Sequence, residues 1–178
     1  MREIYGGKVE RLVELLESIF DAGESVLVFT QYVKVGERIK ALIEKKFARK
    51  VPFLHGGLTP SARDSQIAAF NSSEQPTAFV LSLKAGGFGL NLTKATHVIH
   101  YDRWWNPAVE NQATDRAHRI GQSRTVFVHL FISHGTLEDR IDRILEEKRV
   151  IAGELVVSGE SFLLKMSDKE FARTVALG

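Results

Sequence analysis

Ala78-Phe79-Val80-Leu81-Ser82-Leu83-Lys84-Ala85-Gly86-Gly87-Phe88-Gly89-Leu90-Asn91 is the stretch that decides how the chain folds. Its first four residues are apolar without alternation, and the run ends in a loop with three glycines. A strand with one wet face alternates, whereas a short run without alternation reads as a strand buried on both faces. Outward from it, similar short runs stand at residues 26–29, 51–54, 97–101 and 126–132. Helical periodicity fills the gaps. Leu12, Leu15, Leu16, Ile19 and Phe20 share one face of a helix over residues 8–22, and a second helix spans about 34–47. Thr59-Pro60 starts a third, running to about Phe70. Asn106-Pro107 opens a fourth that Gly121 closes, and Thr136-x-x-Asp139 caps a long last helix. The fold class is therefore α/β: a mostly parallel sheet of about five or more strands, with helices on both faces.

A chain of 178 residues fits one domain with a short appendage. Residues 1–7 read as a linker or a cut end, 8–150 as the domain, and 151–178 as an extension. In that extension residues 158–164 suit a strand or strap, and Ser167-x-x-Glu170 caps a short helix. The chain has no cysteine, which rules out disulfides and thiolate metal sites and suits an intracellular setting. No apolar run approaches a membrane span, and no signal-peptide pattern stands at the start. The 24 Lys+Arg nearly balance the 22 Asp+Glu, so a net charge of +2 makes no case for nucleic acid. That case has to come from motifs.

In a parallel sheet, function collects on the loops at the carboxyl ends of the strands, here near Thr30, His55, Ser82, Asp102 and Ser133. The most informative motif follows one of them: Gln112-Ala-Thr-Asp-Arg116-Ala-His-Arg119-Ile-Gly-Gln122. On a helix Gln112, Arg116 and Arg119 form one stripe, beside a stripe of Val109, Ala113, Ala117 and Ile120 that packs on the sheet. Two guanidiniums so placed can grip one polyanion, because the planar fork bonds phosphate bidentately and keeps its charge. The plainer alternative makes them surface ion pairs with Asp102, Glu110 and Asp115. In the quoted loop the glycines let backbone N–H groups approach an anion, and Lys84 adds a charge. The same loop is equally a tight turn. Nowhere does the spacing G-x-x-x-x-G-K-[ST] occur, nor an acidic pair after a strand to hold magnesium. The chain thus offers phosphate-facing arginines without a nucleotide pocket of its own. His55-Gly56-Gly57 with Arg63 suits either a phosphate grip or a simple turn. Of Trp104 and Trp105, at least one is expected to pack under the following helix. His100 and His118 lack a third ligand at sensible spacing, so no metal site is expected.

Together these residues resemble the Swi/Snf family of DNA-dependent ATPases in helicase superfamily two, of the Rad54-like, chromatin-remodeller type. Residues 80–122 look like its motifs V and VI, Val26-Leu-Val-Phe-Thr-Gln-Tyr32 like its motif IV, and residues 53–71 like the strand–loop–helix block that follows. Arg103, Leu83 and His97 depart from the commonest spelling. The resemblance implies a RecA-like second lobe. Arg119 would be the arginine finger, with Arg116 and Gln112 ordering the site, and Gly87, Gly89 and Asn91 on the nucleotide side. Thr30, Gln31, His55, Gly56, Arg63, Ser82 and Lys84 would face a DNA backbone. ATP with Mg2+ would be bound mainly by a first lobe, the N-terminal RecA-like lobe of the same protein. Partners would be that lobe, double-stranded DNA and DNA-bound proteins. The long helix from Thr136 resembles the family's brace toward the first lobe. The fragment alone is expected to be inactive. Two other readings stay open: a stand-alone DNA- or protein-binding module, and a lobe of a strand-separating DNA or RNA helicase.

Overall fold

The computed structural model describes residues 7–82, 90, 92–104, 106–115 and 124–155, with the side chains of 107 and 148–155 excepted. In chain order these form α1 (Gly7–Asp21), β1 (Ser25–Thr30), α2 (Val33–Phe47), β2 (Phe53–Leu54) and α3 (Pro60–Ser72). There follow β3 (Ala78–Ser82), β4 (Ala95–His100), α4 (Pro107–Thr114), β5 (Phe127–Leu130) and α5 (Leu137–Leu155). Two compact units divide the chain, Met1–Asp142 and Arg143–Gly178. The sheet belongs to the first unit. Among described residues, the second contains the part of α5 from Arg143 onward.

The five strands are parallel and ordered β2-β3-β1-β4-β5. This is the sheet the sequence predicts. β1 is central and every residue of it is buried. Its side chains still alternate between two cores, because successive Cβ atoms point to opposite faces. Val26 and Val28 meet Leu12, Leu16 and Ile19 of α1 and Ile39 and Ile43 of α2. Leu27 and Phe29 meet Phe70 of α3 and Ala113 of α4. A strand buried on both sides therefore carries no polar alternation, which explains the apolar runs that reveal it.

Local chemistry sets the element ends. Thr59 caps α3, its hydroxyl accepting from the Ala62 amide at 3.3 Å, with Pro60 in the first turn. Asn106 caps α4 in the same way, accepting from the Ala108 amide at 3.0 Å. β2 is shorter than predicted, because Pro52 has no N–H to donate and the Val51 amide goes to Glu44 Oε1 at 3.1 Å. The cap of α5 differs from a reciprocal box: Thr136 Oγ1 accepts from the Glu138 amide, while Asp139 Oδ2 accepts from Gly135. Two expectations need correction. β4 begins at Ala95, two residues earlier than the apolar pattern suggests. β5 is not buried on both faces: Phe127, Val128 and Leu130 are exposed on this strand at the edge of the sheet. Residues 156–178, including the predicted strap and tail helix, lie outside the described residues.

Candidate nucleotide and nucleic-acid interface

The strand order reverses beside β1: the chain travels to β2 and β3 on one side, then to β4 and β5 on the other. Such a reversal, at the carboxyl ends of β1 and β4, is where sheets of this kind bind ligands. Thr30 closes β1, and His100 closes β4 ahead of Tyr101, Asp102 and Arg103. These exit residues are bonded to each other. Thr30 Oγ1 donates to Asp102 Oδ2 at 2.5 Å, and the Gln31 amide to Asp102 Oδ1 at 2.9 Å. Gln31 Nε2 donates to the Arg103 carbonyl at 2.6 Å. Burial pushes the Asp102 carboxyl up from its ordinary value, while the bonds from Thr30 and Gln31 favour its charge.

Arg103 is almost wholly buried, at 3% exposure, and divides its fork. Nη1 reaches Glu110 Oε2 in α4 at 2.8 Å, and Nη2 reaches Asp142 in α5 at 3.0 Å. The other Glu110 oxygen accepts the Trp104 amide at 2.9 Å. His100 stacks on Phe29 and shares a 3.0 Å hydrogen bond between Nε2 and Thr114 Oγ1 at the last residue of α4. Burial, with the Arg103 charge beside it, holds the imidazole pKa down at about 4, so the ring is neutral. On the opposite face Lys8 Nζ joins the Tyr101 carbonyl at 2.9 Å and Glu138 Oε2 at 2.5 Å. Burial works against the Glu138 charge, yet the bonds from Lys8 and the Ser133 amide leave its pKa below the usual range.

The sequence-predicted residues separate into three groups. Gln112 is exposed on α4, and Ala113 beside it is buried against the sheet, as the two-stripe reading requires. Gln31, His55 and Arg63 are half-buried at the carboxyl side of the sheet, and Gly56 is exposed. The His55 ring turns back to accept the Gly57 amide at 3.2 Å, which tightens that loop. Thr30 and Ser82 are buried at 0% and 1% exposure, and the Thr30 hydroxyl is held by Asp102. Arg116, Arg119, Gly87, Gly89, Asn91 and Lys84 lie outside the described residues, as do Trp105 and His118. Trp104 is half-buried. Asp102 and Glu110, considered above as surface partners for the arginines, are 7% and 4% exposed and act as interior links instead. Sequence reading missed this role. The one signal for it was a polar run, His100 to Arg103, directly after an apolar strand.

Against this geometry, residues 7–121 match the family model described as helicase conserved C-terminal domain. The chain belongs to the helicase C-terminal domain family, on its SWI2/SNF2 branch. The Bacillus subtilis protein YwqA, whose name assigns it provisionally to the ATP-dependent helicases/translocases, is 51% identical over 170 residues. That match covers 96% of this chain and 18% of YwqA. Helicase SWR1 of Candida glabrata is 36% identical over 179 residues, covering 97% of this chain and 12% of its own length. Among solved structures, the Sulfolobus solfataricus SWI2/SNF2 ATPase core in complex with dsDNA superposes at TM-score 0.74 with 44% identity. That match covers 97% of this chain and 36% of the other. The C-terminal domain of the Sulfolobus ATPase superposes at 0.68 with 42% identity, covering 97% of this chain and 70% of that domain. The SWI2/SNF2-type lobe is thus a RecA-like parallel sheet, and this chain spans less than a fifth of those two curated relatives.

Proposed function

We propose that residues 8–150 are the second motor lobe of an ATP-dependent translocase on double-stranded DNA, which remodels protein–DNA complexes. The observation that carries the reading is the bonded cluster at the ends of β1 and β4, which holds α4, the helix that precedes Arg116 and Arg119 in the sequence. The likeness to a SWI2/SNF2 core solved on dsDNA supports it. ATP is sandwiched between this lobe and a first lobe that carries the phosphate loop. Arg119 is the finger on the γ-phosphate, Arg116 stands beside it, and Gln112 orders the site. Gly87, Gly89 and Asn91 line the nucleotide side. An arginine supplied across a cleft stabilises phosphoryl-transfer charge, worth about 10³–10⁵ in rate in related ATPases. Among the described residues no cluster of three His, Cys, Asp or Glu is placed to hold a metal ion. Mg2+ would be held, with ATP, mainly by the first lobe.

Thr30, Gln31, His55, Gly56, Arg63, Ser82 and Lys84 track the DNA backbone, and the Thr30 hydroxyl is oriented by Asp102. Phosphate contacts of this kind fix register without reading sequence. In the full-length protein, Arg119→Ala abolishes DNA-stimulated ATP hydrolysis while DNA binding persists. Hydrolysis at the parent rate by that variant overturns the finger assignment and, with it, the motor reading.

A further inference from the structure

α4 has eight residues and spans about 12 Å, too short to hold its own orientation by helix propagation. Of its described side chains only Ala113 sits in a core cluster. Two polar anchors from the exit of β4 do the rest. Glu110, in the first turn, is held by Arg103 Nη1 at 2.8 Å and by the Trp104 amide at 2.9 Å. Thr114, the last residue, is held by His100 Nε2 at 3.0 Å. Arg116 follows two residues after Thr114 in the sequence.

The pattern of hydrogen bonds fixes the direction of the His100 link. His100 Nδ1 is buried and has no partner, and the ring carries one proton. A proton on Nδ1 would leave an orphaned buried donor, which is costlier than an unused lone pair. The proton therefore sits on Nε2 and is donated to Thr114 Oγ1. The Arg103 link uses two nitrogens of the fork and leaves the Nε–H, a buried donor, without a partner. A buried arginine between two carboxylates is a poor device for stability alone, since apolar packing serves as well. Its distinctive property is geometry, because a planar fork fixes both partners at once.

We infer that His100 and Arg103 are positioning residues, which hold the two ends of α4, the helix that precedes the arginine motif in the sequence, in one register. This rests on the motor-lobe reading above. Arg103 also ties that register to α5 through Asp142, so one guanidinium joins α4 to the start of the long helix.

The test uses the full-length protein with DNA-stimulated hydrolysis as the readout. Thr114→Val keeps the side-chain shape and removes the acceptor of the His100 bond; Thr114→Ser restores it. The expected result is that Thr114→Val lowers kcat by about tenfold or more, leaves KM for ATP and DNA affinity within about twofold, and that Thr114→Ser recovers the loss. Arg103→Lys, whose point charge cannot span Glu110 and Asp142 as a fork, shows the same split. If Thr114→Val turns over at the parent rate, or Thr114→Ser fails to recover it, the inference is overturned. Arg119→Ala serves as the control. If it still hydrolyses ATP, the motor reading itself fails; if it is dead while Thr114→Val is normal, only the positioning role fails.

Discussion

His100 is neutral in the folded lobe because burial, helped by the Arg103 charge, holds its pKa at about 4 against an ordinary 6.5. The unfolded chain takes up a proton below pH 6.5, and the folded chain does not until about 4. Stability from this group is therefore complete above the unfolded pKa and drains away as pH falls through that window, by up to about 3 kcal/mol. His129, also lowered by burial first, then by the His97 and Arg11 charges, adds a loss of the same sign. Urea unfolding at pH 7 and pH 5 should show a marked loss in the parent and a smaller one in His100→Gln, the difference isolating His100 from His129. An equal pH dependence in both proteins would contradict a neutral buried ring. The sequence does not announce this: a histidine at a strand end looks the same whether it faces water or Phe29. By contrast, the places of Gln112 and Ala113 on their two stripes were legible, because helical periodicity alone assigns one to the edge and the other to the core.

α2 shows what decides the fit of one element on another. Gly36 lies inside this helix, where glycine costs about 1 kcal/mol relative to alanine, so propensity alone recommends replacing it. A Cβ there would fall 2.5 Å from Phe53 Cζ of β2, far inside contact distance. Gly36→Ala is therefore expected to destabilise the lobe by about 1–3 kcal/mol despite its better helix propensity, as overpacked cores do. Thermal melts of the two proteins measure it, and a raised Tm would mean that Phe53 moves aside freely. Element positions were readable from the chain since caps and apolar runs are local: Thr59-Pro60 and Asn106-Pro107 both start helices where expected. Exposure of β5 was not readable. Phe127 and Val128 carry the same side chains as buried strands, and only the strand's place at the sheet edge leaves them outside.

For the whole molecule the central expectation is incompleteness. The sequence holds no phosphate loop, and this chain spans 18% of YwqA, so the isolated lobe should show no ATP hydrolysis above background with or without DNA. A coupled-enzyme assay on the purified chain checks this, and turnover at motor rates would remove the two-lobe argument. The strand order has a consequence for how such a lobe is made. β1 lies between β3 and β4, and its pairing with β4 joins Val26 to His97 and Phe29 to His100, residues far apart in the sequence. A nascent polypeptide that has left the ribosome only as far as β3 still has one flank of its central strand bare. Such distant pairings slow folding and leave an adhesive edge in the meantime. Truncation anywhere before His100 should thus yield insoluble protein rather than a smaller version of this lobe, and translation itself becomes the interval in which a chaperone has most to guard.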